Sequence, residues 1–191
     1  MKRDMITPIQ SSFFSCEKDT ELILKKLFID NKKHSETLKR LLLLGVSDCL
    51  DETNEKYKSI IDNTSLSEMI EKEYINFTSK VGFAEHEEEK AYIEMSFDGF
   101  VDNFTNPEYR DSNIIFNIFC PKSIWRLDNY KLRVLAIVGY IDGLLDGSRL
   151  TGIGRLEFQS CSKIAYDENL SGYSLIFRAI HGNDDNIPPR G

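Results

Sequence analysis

Four groups of residues have the types that chemistry needs. His181, Asp184 and Asp185 lie together near the end of the sequence. With Asp142 or Glu157 as neighbours in space they would make the carboxylate-rich magnesium site of a nuclease. Their Gly/Asn/Pro surroundings after the last strand fit turns and caps better. Glu85-His86-Glu87-Glu88-Glu89 sets one imidazole among four carboxylates, but a chelate needs ligands that converge in space, and these are consecutive. A solvated charge run that guards a strand edge is the simpler reading. Gly152-Ile153-Gly154 opens a strand instead of following one, which is the wrong context for a dinucleotide loop. Cys16, Cys49, Cys120 and Cys161 are scattered, and none is placed by spacing beside one of the three histidines as thiol–imidazole catalysis requires. The expectation is a protein that is not an enzyme, with no metal and no cofactor.

Charge narrows the classes further. The chain carries 31 acidic and 24 basic residues in 191, a net −7. Residues 81–126 alone hold nine acidic against four basic, a poor surface for gripping phosphates but a suitable wall for DNA to pass without sticking. Hydrophobic residues at 41% allow a packed core. Without a C-x-x-C pair or a secretory leader, the thiols are expected to stay reduced in a cytoplasm. The longest apolar run, Leu132–Leu145, is broken by Arg133 and Asp142 and falls short of the ~18–20 residues of a membrane span.

The elements that must position any site centre on Tyr130–Asp146. Val134, Ile137, Val138, Ile141, Leu144 and Leu145 follow the spacing of one helix face, with Asp128 or Asn129 as cap and Gly147 as stop. Arg133 and Asp142 fall to its polar face. Upstream, residues 1–18 read as an arm anchored by Phe13 and Phe14. Thr20–Asp30 and Ser35–Leu44 read as a helical hairpin, Asn54–Asp62 as a weaker helix, and Ser65 with Glu68 as a capping box that opens another helix, with Tyr74 and Phe77 on its apolar face. Period-two alternation then marks strands at Tyr92–Phe97, prolonged past a bulge to Phe104, at Asn113–Cys120, the central one, and at Ile153–Cys161 and Tyr173–Ile180, a hairpin. The fold class is α+β: an antiparallel or mixed β-sheet packed by one long helix, about 128–146, and preceded by an N-terminal helical section. The organisation is an arm (1–18), a helical section (19–80), a sheet domain (81–182) and a tail (183–191) within one compact domain.

The connecting loops carry a resemblance. Asn106-Pro107-Glu108-Tyr109-Arg110-Asp111 precedes the best strand, and Ile141-Asp142-Gly143 lies in the helix. Leu150-Thr151-Gly152-Ile153-Gly154 opens the next strand, Gly172-Tyr173 the last, and His181-Gly182-Asn183-Asp184-Asp185 closes it. Over residues 90–185 the chain resembles the neck proteins of tailed bacteriophages, tail terminators or head–tail connectors of the crAss-like type. The resemblance implies a structural virion protein, made in the host cytoplasm, whose copies close a hexameric or dodecameric ring between portal and tail. DNA passes through the ring without sequence-specific binding. On that reading Glu85, Glu87, Glu88 and Glu89 line the channel. Phe13, Phe14, Arg133, Asp142, Arg149 and Arg155 serve the subunit interface, with Asp142 paired to Arg149 or Arg155 of a neighbour. The alternatives are a metal-dependent phage nuclease and a cytosolic protein-binding adaptor.

Overall fold

In the computed structural model, which describes residues 13–78, 90–105, 110–150 and 155–181, the apolar stripes of the sequence become one layer of helices on one face of a five-stranded sheet. Helix α1 spans Phe13–Phe28 and buries Ile23, Leu24, Leu27 and Phe28. It begins seven residues before Thr20, which is no cap: its hydroxyl sits inside the helix and donates to the Cys16 carbonyl at 2.7 Å. A three-residue turn then leads into α2, Lys32–Leu43, whose N-cap is Asn31 and which buries Leu38, Leu41 and Leu42.

The next two helices follow their caps closely. Asn54 accepts from the amides of Lys56 and Tyr57 and opens α3, Glu55–Asn63. Ser65 and Glu68 form the reciprocal capping box of α4, Leu66–Glu71. This helix is shorter than its apolar pattern. Glu73 takes a left-handed conformation at φ 60°, and the amides of Glu73 and Tyr74 return to the carbonyls of Ile70 and Met69, the bonding of a Schellman stop. The chain leaves extended, so Ile75–Asn76 forms the short strand β1, parallel to β2, with Ile75 opposite Ile93. A helical continuation would have left Ile75 without that core position; in the strand it is 2% exposed.

Strand β2 is Tyr92–Asp102, with a register shift between Asp98 and Val101 where the bulge was expected. Strand β3 is Arg110–Pro121, β4 Glu157–Ala165 and β5 Leu170–His181. Their order is β1-β2-β3-β5-β4, all pairs but the first antiparallel. The sheet is therefore mixed, and β3 is central. The β4–β5 hairpin is closed by Asp167, whose carboxylate accepts from the amides of Asn169 and Leu170.

Alternation decides which face is covered. Ile93 and Met95 of β2, Ile114, Phe116 and Ile118 of β3, and Leu175 and Phe177 of β5 point to the helices and are buried. Onto them lies α5, Arg133–Leu145, with Val134, Ile137, Ile141 and Leu145 all fully buried. The helix starts later than Asp128 because Asp128–Tyr130 is a separate 3-10 turn, with Asn129 and Tyr130 at positive φ. Its N-cap is Leu132, which supplies no side-chain bond; the first helical amide, Arg133, donates to the Trp125 carbonyl instead. The helical section and the sheet share this core, which runs without a break from Ile23 to Ala179.

Candidate functional site

Arg133 overturns its assignment to the polar face of the long helix. It is 0% exposed. Its Nε donates to the Ile124 carbonyl at 2.8 Å, Nη1 to those of Leu41 and Leu44 at 2.8 and 2.7 Å, and Nη2 to that of Val46 at 2.6 Å. The last turn of α2 and the residues after it leave carbonyls with no helical partner, and the negative end of a helix dipole favours a cation there. Helical spacing puts position 133 beside Ile137, which itself belongs to the core; the long stem lets the guanidinium reach the end of α2 from there. Arg133 is a structural clamp, with no surface to offer a neighbour.

The other expected site residues divide as follows. Glu85, Glu87, Glu88 and Glu89 lie outside the described residues, as do Asp184 and Asp185. Phe13 and Phe14 belong to the first turn of α1 instead of an irregular arm. Arg149 is exposed, and Arg155 is exposed with its Nε donating to the Gly147 carbonyl at 3.1 Å. Among the described residues no three His, Cys, Asp or Glu side chains are grouped as a metal would need, and no described helix is long and apolar enough to cross a membrane. All four thiols are pushed up from their ordinary range, chiefly by burial. Cys120 reaches about 12 and Cys16 about 11. Even Cys49, beside the Arg133 guanidinium, is raised, because desolvation outweighs the favourable charge. None has the lowered pKa of an activated nucleophile.

Asp142, also expected on the polar face of α5, is half-buried. Its Oδ1 is buried and has no hydrogen-bond partner among the described residues. Burial first, and the Asp146 carboxylate second, raise its pKa above the usual carboxylate range. An acid whose folded pKa is raised destabilises the fold once ionised, that is, above the ordinary Asp range; in acid the penalty vanishes because both states are protonated. Asp142→Asn is therefore expected to melt at a higher temperature than wild type at neutral pH, with the gap closing in acid. A gap of equal size at both pH values would remove the account.

Around Asp142 the surface of α5 is not polar. Leu132 is 39% and Leu135 43% exposed. Gly139 and Gly143, one turn further on each, are exposed, and a Cβ added at either meets nothing within 4 Å among the described residues. A strip of leucine and glycine thus runs down the outer face. The spacing that identified the core stripe missed it, although a signal was present: helix Arg133–Leu145 contains only two charged residues, too few for a solvated face. A second apolar site stands at the far end of β2, where Val101 is 58% exposed and Phe104 wholly so. At the sheet's other edge, β4 is exposed along most of its length, with Phe158 46% exposed over the Phe177 ring.

No curated protein matches the chain. A family model does: YomW, over residues 35–179, which takes in α2 to β5 and so both the helical section and the sheet. The family's name comes from an SPbeta-like prophage region of Bacillus, which makes the chain phage-related. Matched over well more than half its length, the chain belongs to the YomW family.

Proposed function

We propose that this chain is a structural virion protein that forms a ring in the phage neck, as head–tail connector or tail terminator, joining portal to tail around the DNA channel. The observation that carries the reading is the outer face of α5. A glycine inside a helix costs about 1 kcal/mol relative to alanine, so Gly139 and Gly143 together forfeit about 2 kcal/mol. Within the subunit nothing described crowds either position, and neither has a positive φ. What remains is close approach by a backbone from outside, with Leu132 and Leu135 as the apolar border of the contact. A closed ring needs a heterologous interface, two unlike patches on each subunit. The glycine strip presents bare backbone, and Val101 and Phe104 expose apolar side chains at a different place. The pair meets that requirement, and the family's phage origin agrees with it.

Light scattering of the purified full chain, alone and with its portal and tail partners, tests this. Wild type is expected to give closed rings. Gly139→Leu/Gly143→Leu is expected to keep its circular dichroism and, as an isolated subunit, to melt no lower than wild type, since the added side chains enter open space and leucine is the better helix former, yet to run as a monomer. Rings that persist in the double variant would remove α5 from the interface. A wild-type chain that stays monomeric with every partner would remove the ring, and divalent-dependent cleavage of DNA by it would favour the nuclease.

A further inference from the structure

We propose that copies of this chain meet head to tail through one aromatic contact, Tyr130 of each subunit against Phe104 of the next. Among the described residues these two large apolar side chains stand furthest into solvent, at 95% and fully exposed; the next, Val101, is 58% exposed. Single exposed hydrophobic residues are ordinary on a surface. These two differ because the backbone around each holds the ring out.

Tyr130 takes φ 63° and Asn129 φ 58°, the two left-handed positions of a type I′ turn. The Lys131 amide donates to the Asp128 carbonyl at 3.4 Å and the Leu127 amide to that of Lys131 at 2.9 Å, next to an antiparallel bridge between Arg126 and Leu132. Asparagine tolerates such a position, but a bulky tyrosine in it strains the backbone. Strain of this kind gathers where function needs a side chain held in place. Phe104 is carried by a turn that Asn103 closes. The Asn103 Oδ1 accepts from the Thr105 amide at 3.0 Å, and its Nδ2 donates to Asp111 at 2.7 Å, which also holds Arg178. Side chains fixed in advance lose little freedom on contact.

The two rings lie at opposite ends of the subunit. Phe104 follows β2, whose last residue, Asp102, pairs with Arg110 at the start of β3. Tyr130 comes after β3 has run its 12 residues to Pro121, roughly 40 Å away. Helix α5 returns from that end and meets β4 where the Phe158 amide donates to Asp146. One subunit therefore cannot close the contact on itself, whereas a neighbour can. Tyr130 also stands at the head of the exposed Leu132 and Leu135, so the contact continues the face of α5 assigned above to the interface. An aromatic pair adds to the area it buries. The inference rests on the ring reading and names the anchor residues of that ring.

Light scattering of the full chain over a range of concentrations provides the first test. Asparagine accepts the left-handed turn, so Tyr130→Asn is expected to melt no lower than wild type as an isolated subunit, yet to need about tenfold more protein to assemble. Phe104→Ser should show a similar loss, and the double variant less than the two losses combined, since either change alone removes the pair. The second test is covalent. In a Cys16→Ser/Cys161→Ser background, which removes the thiols that are not buried, Phe104→Cys/Tyr130→Cys treated with a short bismaleimide is expected to link three or more chains into a ladder, and either new cysteine alone should not. Additive losses, or links confined to pairs of chains, would overturn the head-to-tail contact. If Gly139→Leu/Gly143→Leu abolishes rings that Tyr130→Asn leaves intact, the ring reading stands and the aromatic contact falls; a wild type without rings removes both.

Discussion

Arg133→Met is expected to destabilise the protein by about 3–5 kcal/mol, the cost of breaking a buried charge network from one side. That is a large share of the ~5–15 kcal/mol by which a domain of this kind is stable. A buried ion pair can often be replaced by apolar residues at little cost, but only when both partners go. Here the partners are the main-chain carbonyls of Leu41, Leu44, Val46 and Ile124, which no substitution removes. Methionine fills much of the volume and donates nothing, so the carbonyls are left unpaired in the core at about 1–3 kcal/mol for each that water cannot reach. Arg133→Lys keeps the charge but not the fork; one ammonium cannot span acceptors on two sides of the site, and a loss between wild type and methionine is expected. Urea denaturation of the three proteins measures this. A methionine variant within about 1 kcal/mol of wild type would mean that the clamp contributes packing alone.

The clamp also marks where pattern stops informing. Period is enough for the order of the elements other than β1, for the capping box at Ser65, for the bulge in β2 and for the central place of β3, because each is set by residues near one another in sequence. The α5 core stripe was readable for the same reason. What could not be read depends on contacts across the chain. Arg133 on a helical wheel is simply a cation near the first turn; that it points at the end of α2, about ninety residues earlier in sequence, follows only from how α5 crosses α2. The left-handed Glu73 ended α4 although glycine is the usual residue there, so the apolar Tyr74 and Phe77 prolonged the pattern beyond the helix. The outer face of α5 is obscured for a related reason: one strong apolar stripe accounts for the helix's period and leaves the small and apolar residues opposite it without a signature of their own. Leu132, Leu135, Gly139 and Gly143 are not, and the candidate interface moves from the charges at 133 and 142 to the small residues between them.

Gly172→Ala is the second large effect, and its cause is backbone geometry. The loop before β5 was expected to end at Gly172, but β5 begins at Leu170, so this glycine lies within the ladder, opposite Phe119 of β3 and Ile164 of β4. A Cβ there would stand 1.7 Å from the Ile118 carbonyl oxygen and 2.8 Å from its carbon. A flexible side chain could move away at small cost. These atoms belong to the main chain of the central strand, and shifting them means opening the β3–β5 pairing beside Ile118, which is itself fully buried. Overpacking costs about 1–3 kcal/mol when side chains can adjust; against the β3 main chain the loss is expected at about 3 kcal/mol or more. The contrast with α5 makes the prediction sharp. Gly139→Ala and Gly143→Ala add the same methyl group into open space and should stabilise the isolated subunit by roughly 0.5–1 kcal/mol each. Thermal melts of the three alanine variants decide the matter: if Gly172→Ala melts with the other two, the close approach of β3 to β5 is not what keeps alanine out, and the same doubt passes to the reading of the α5 glycines.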